Sequence, residues 1–209
     1  MRNFFSWIIS IFATVLFLFP SYASSNDRCR SIQSLIEQSH KAILGEEYPW
    51  WYGVGQAKVE SNCKWIASQD GYGSIGYFQL TPKFLDPIIR PLYPDYTKFN
   101  SPHHFYAAAT YIKILWNESP SPVLWVIYQQ YNGGYWVVKE CKRAKSWTWE
   151  YCKRECRRSD VCVKLQGGKC FQHRSSCDIN YEYSLKVFEN GSLYRPDYVN
   201  EDQLLYSYW

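Results

Sequence analysis

Apolar positions along the chain recur at helical spacing in several blocks, and no stretch alternates as strands do. Ile32, Leu35, Ile36, Ile43 and Leu44 share one face of a helix that Ser25-Asn26-Asp27 caps and Gly45 stops. Residues 49–61 are compatible with a second helix in spite of Gly53 and Gly55. Pro49 suits the first turn, and the small residues allow a neighbouring element to approach closely. Thr81-Pro82 reads as a cap followed by a first-turn proline, opening a short helix through Leu85. Ser101-Pro102 and Ser121-Pro122 repeat the device. They open HHFYAAATYIKILW, whose Ala107 to Ala109 suit tight packing, and VLWVIYQQYN, which Gly133-Gly134 terminates. These patterns predict a mainly α domain.

Between the helices, residues 64–76 are punctuated by Ser68, Asp70, Gly71, Gly73, Ser74 and Gly76 and read as a loop. Pro87 to Asn100, with Pro91 and Pro94, reads as a connection. From Tyr135 to Arg158 the chain is basic and aromatic, and a helix there sets Cys152 and Cys156 on one face. Ser159 to Cys177 reads as a cysteine-rich loop, and the tyrosine-rich tail to Trp209 offers no chemistry that the pattern identifies. The expected organisation is one helical domain over residues 24–140. A disulfide-rich extension, 141–209, packs on it and widens a groove or docks a partner through its basic runs.

Composition adds a compartment. Met1-Arg2-Asn3, the apolar run from Phe4 to Phe19 and the small-residue ending at Ala23 read as a signal peptide over residues 1–23. The run is interrupted by Ser6, Ser10 and Thr14 and is too short to span a bilayer, so no membrane association is expected after cleavage. All eight cysteines follow it, which makes disulfides in a periplasmic or secreted protein the expected state. Zinc on Cys152, Cys156, Cys162 or Cys177 with His173 fits no regular spacing, so no metal is expected. The net charge of +4 is mild and suits an anionic polymer. Nucleic acid is excluded as a partner by export and by Glu140, Glu150 and Glu155 within the basic run. The many tyrosines and tryptophans suit both a core and a groove that stacks on sugar rings.

The stretch richest in chemistry is GQAKVESNCKWIASQDGYGSIGYFQLTPKF, residues 55–84. Glu60, at a helix end, is a candidate acid–base group: burial among Trp50, Trp51 and Val54 and the negative end of the helix both raise its pKa. Ser61 is placed to hold its carboxyl, and Gln79 offers a donor and an acceptor to a sugar substituent. His40, His103 and His104 are expected to face solvent or flank a helix.

Three ordered elements resemble the signature of lytic transglycosylases of the soluble (SLT) type, in the lysozyme-like superfamily. They are Glu60-Ser61, then Gly76-Tyr77-Phe78-Gln79-Leu80-Thr81-Pro82, then Tyr131-Asn132-Gly133-Gly134. The likeness covers residues 43–134. It implies a lysozyme-like helical fold, Glu60 as sole general acid and base, and no cofactor. The implied reaction cleaves peptidoglycan glycan strands and leaves 1,6-anhydro-muramoyl ends. Ser61, Gly76, Tyr77, Gln79, Tyr131 and Asn132 match positions expected to bind substrate. A cell-envelope-spanning assembly is a further partner to consider. The chain departs from the pattern at Gln130, where alanine is usual, and in a slightly longer loop before Gly76, where a bridged Cys63 would stiffen the backbone. Two alternatives remain open: a goose-type-lysozyme-like hydrolase using Asp70 to activate water, and an inactive peptidoglycan-binding module.

Overall fold

The computed structural model describes residues 27–68 and 72–199. Eight helices and one two-stranded sheet make up the regular structure among these residues. The proposed signal peptide and Asp70 lie outside them.

Helix α1, Arg28–Leu44, is capped by the Asp27 carboxylate, which accepts from the Cys29 amide, and Gly45 ends it at a positive φ of 106°. Helix α2, Trp51–Ser61, ends at left-handed Asn62. The disulfide from Cys63 to Cys29 ties this end back to the start of α1. Helix α3, Pro82–Ile89, runs past the expected stop at Leu85 and contains Pro87. So close to the helix end, a proline removes only one i→i−4 bond. Helix α4, His103–Glu118, packs against α1, and α5, Leu124–Gly133, carries two fully buried large side chains, Trp125 and Tyr128.

Beyond α5 come α6, Trp136–Ala144, and the short α7, Trp149–Arg154, joined by the disulfide Cys141–Cys152. The expected cysteine-rich loop is instead an antiparallel hairpin. Strand β1, Asp160–Gln166, turns through Gly167 and Gly168, both at positive φ, into β2, Lys169–Ser175. Cys162–Cys170 bridges the two strands. The tyrosine-rich segment that follows, for which the sequence pattern suggests no element, forms helix α8, Ser176–Ser192, which the Ser175 hydroxyl caps by accepting from the Asp178 amide. Cys156 lies beyond α7 and pairs with Cys177 in the first turn of α8.

Helix α8 packs chiefly along α2 and also against α5. The α2–α8 crossing is glycine on glycine: a Cβ on Gly55 would lie 2.1 Å from the Val187 carbonyl oxygen, and one on Gly191 2.9 Å from the Trp51 carbonyl oxygen. One buried cluster joins residues of α1, α2, α4, α5, α6 and α8, so the described part of the expected extension, residues 141–199, supplies part of the same core. All eight cysteines are in disulfides, which suits an oxidising compartment. Among the described residues no helix is long and apolar enough to cross a membrane.

Two histidines expected at the surface are buried. His40 follows Ile32 and Ile36 on the inner face of α1 and packs against Gly53, where a Cβ would lie 2.5 Å from its Nε2. Desolvation lowers its pKa to about 4. His104 is equally buried and has a specific task at the site.

Candidate active site

Glu60 is the penultimate residue of α2, and its carboxyl reaches the wall of a cleft of about 620 Å³. Gln79, Tyr111, Tyr131 and Asn132 line the same cleft. Trp50 and Trp51 do not shelter it as expected: Glu60 follows Trp51 by nine helical steps, a rise of about 13 Å. Its closest partner comes from α8. The Tyr183 hydroxyl donates to Glu60 Oε1 at 2.5 Å, and the phenol is itself buried. Desolvation raises the Glu60 pKa to about 7, against the opposing effect of this hydrogen bond, which favours the carboxylate. The carboxyl therefore titrates near neutrality.

The glycine-rich segment opposite is fixed by backbone bonds. Ile75 and Leu80 exchange N–H···O bonds of 2.9 and 3.0 Å, and the Gly76 amide donates to the Ile66 carbonyl. Phe78, at its centre, is held from both sides. Its amide donates to His104 Nε2 at 3.3 Å, and its carbonyl accepts from the Tyr131 hydroxyl at 2.7 Å. His104 Nδ1 lies 2.9 Å from the Tyr96 carbonyl and must donate to it, which leaves Nε2 as the acceptor that the Phe78 amide requires. Burial lowers the His104 pKa to about 4, so this neutral tautomer persists at neutral pH. Gly76, at φ 81°, lies flat on that ring, and a Cβ there would sit 2.3 Å from Cε1. The backbone then delivers Gln79 at φ 49°, with its amide nitrogen donating to the Gly76 and Ile66 carbonyls. This orients the Gln79 amide while its Nε2 is engaged by the protein, so toward a ligand the side chain serves as an acceptor through Oε1.

Of the sequence-predicted residues, Glu60, Gln79, Tyr131 and Asn132 meet at the cleft, and three do not. Ser61 is buried and donates to the Tyr77 and Ala57 carbonyls, not to the Glu60 carboxyl. On a helix, adjacent side chains diverge by about 100°, so the residue after an inward acid points elsewhere. Tyr77 is buried against Trp65, His104 and Phe105, and Gly76 against His104. These three shape the loop from behind. Tyr131 is part wall and part anchor, since its hydroxyl is engaged by Phe78 and its ring packs 5.2 Å from that of Tyr111. Asn132 is exposed and donates from Nδ2 to Asn180 on α8 at 3.3 Å.

Sequence reasoning missed Tyr183, Tyr111 and His104. A signal for Tyr183 exists in the spacing of Ile179, Tyr183 and Val187, a helical face once tyrosine counts as apolar. Comparisons with protein-family models, with curated proteins and with solved structures find no match for the chain.

Proposed function

We propose that this chain is a peptidoglycan lytic transglycosylase, a carbon–oxygen lyase with a lysozyme-like catalytic domain acting in the periplasm or after secretion. The principal support is the Glu60 carboxyl: it reaches the cleft, has a pKa near 7 and is held by Tyr183. A group that gives a proton and then takes one back works best when its pKa matches the ambient pH. Among the described residues lining the cleft, Glu60 is the one carboxyl group.

In this reading Glu60, protonated, delivers its proton to the oxygen linking N-acetylmuramic acid to N-acetylglucosamine as the C1–O bond breaks. The carboxylate formed, stabilised by the Tyr183 hydroxyl, takes the proton of the muramoyl C6 hydroxyl. That oxygen closes on C1 and yields a 1,6-anhydro end. The proton returns to Glu60 and no water is consumed. Gln79 Oε1 accepts from an acetamido N–H or a hydroxyl of the strand, and Tyr111 and Tyr131 offer ring surface beside it.

The test is mass spectrometry of digested peptidoglycan together with Glu60→Gln. Anhydro-muramoyl products are expected, with a loss of about 10²- to 10⁴-fold in turnover for the variant. Reducing ends would overturn the transglycosylase outcome in favour of a hydrolase. Undiminished turnover in Glu60→Gln would remove Glu60 from the chemistry.

A further inference from the structure

The cleft runs into a surface that the reaction does not use. Gly134 lies in the cleft wall, and the next two residues, Tyr135 and Trp136, are 49% and 51% exposed. At 3.6 residues per turn, Trp136, Lys139 and Lys142 fall on one face of α6, with Tyr135 at its N-cap, opposite the buried Val137, Val138 and Cys141. The Lys139 ammonium lies 4.5 Å from the Trp136 ring centre, and that of Lys142 lies 6.0 Å from the Tyr135 ring centre. The helix's own acid, Glu140, is turned inward and paired with Arg158. Among the described residues no carboxylate lies within 4 Å of Lys139 or Lys142. This face is therefore aromatic and cationic, without an anion of its own. It extends about 10 Å from the cleft wall along the helix.

We propose that the exposed face of α6 is an outlying platform for an anionic glycan strand leaving the cleft at the Gly134 end. The indole and phenol rings lie under sugar faces, and the two ammonium groups meet the carboxylates that the strand bears. The inference rests on the glycan-cleaving reading above and extends it to residues remote from the cleaved bond. A phospholipid surface also accepts aromatic and cationic side chains. Continuity with the cleft wall favours a polymer that occupies both places at once.

The experiment measures co-sedimentation with insoluble peptidoglycan, and separately with phosphatidylglycerol vesicles, in a Glu60→Gln background, with and without Trp136→Ala and Lys139→Ala together. In parallel, the chain with Glu60 retained is assayed on long strands and on a soluble disaccharide, the shortest unit that holds the cleaved linkage. The paired substitution is expected to weaken sedimentation and long-strand turnover about tenfold, and to leave disaccharide turnover within about twofold. Unchanged sedimentation overturns the platform, and does so even if cleavage is confirmed. Binding lost only to phosphatidylglycerol vesicles overturns it in favour of a lipid surface. If the chain binds peptidoglycan through Trp136 and Lys139 but never cleaves it, the reaction falls and the platform stands.

Discussion

At the scale of single residues, the site depends on two opposed influences on one carboxyl group. Enclosure by protein drives Glu60 toward the acid form, and the Tyr183 hydroxyl draws it back by donating to Oε1. Replacing Tyr183 with phenylalanine keeps the ring and removes only the donor. The carboxylate then loses stabilisation while desolvation persists, so the pKa must rise. In the proposed reaction, general-acid turnover is lost as pH climbs through the pKa of the acid. The alkaline limb of the pH–rate profile should therefore move upward from near pH 7 by about one unit, given the usual strength of a hydrogen bond to a charged group. On the proposed reaction the rate below that limb should fall as well, because a carboxyl group of higher pKa is the weaker acid and delivers its proton less readily. A limb that stays put or moves to lower pH would show that the phenol does not set the acidity. Glu60 itself was legible from a Glu-Ser dipeptide at a helix end facing a glycine-rich loop. Its partner was not, because a tyrosine 123 positions away leaves no local mark near Glu60.

At the scale of elements, helix starts and stops were legible wherever a single residue meets an unsatisfied backbone group. Asp27 at the N-terminus of α1 and Gly45 at its end are both read directly from the chain. The elements missed are those whose apolar face is built from residues that count as polar. Helix α8 buries Tyr181 and Tyr183 by pairing their hydroxyls with Glu140 and Glu60, which composition cannot anticipate. The hairpin is marked in the sequence by Gly167-Gly168 between two short runs, but its cysteines and charged residues break the alternation that identifies strands. Glu140 shows how these late elements are locked together. Fully buried on α6, it accepts from Arg158 at 2.8 and 3.1 Å and from Tyr181 on α8 at 2.7 Å. Glu140→Ala strands a mostly buried guanidinium and a buried phenol at once. It should destabilise the chain by about 3–5 kcal/mol in denaturant titration, the range for breaking a buried pair from one side. A cost below about 1 kcal/mol, typical of a surface pair, would mean that water replaces the carboxylate freely.

At the scale of the whole molecule, the acid is set by the spacing of two helices far apart in sequence. Tyr183 reaches Glu60 because α8 lies directly on α2, and the small residues that permit this are Gly55 and Gly191. The sequence allowed a close neighbour for α2 but did not say which element it was. A Cβ on Gly55 meets the Val187 carbonyl oxygen at 2.1 Å and the Gly191 amide nitrogen at 2.5 Å, and backbone atoms cannot rotate away. Gly55→Ala must therefore push α8 off α2. The expected cost is about 1–3 kcal/mol of stability, in the range for overpacking a tight interface. The displacement should also part Tyr183 from Glu60 and move the pH–rate limb upward, as Tyr183→Phe does. Gly53→Ala is the matched control. Its Cβ meets the His40 ring at 2.5 Å, between α2 and α1, so it should lower the melting temperature and leave the pH profile in place. If Gly55→Ala melts like the parent and titrates like it, the packing of α8 on α2 is not what tunes the acid.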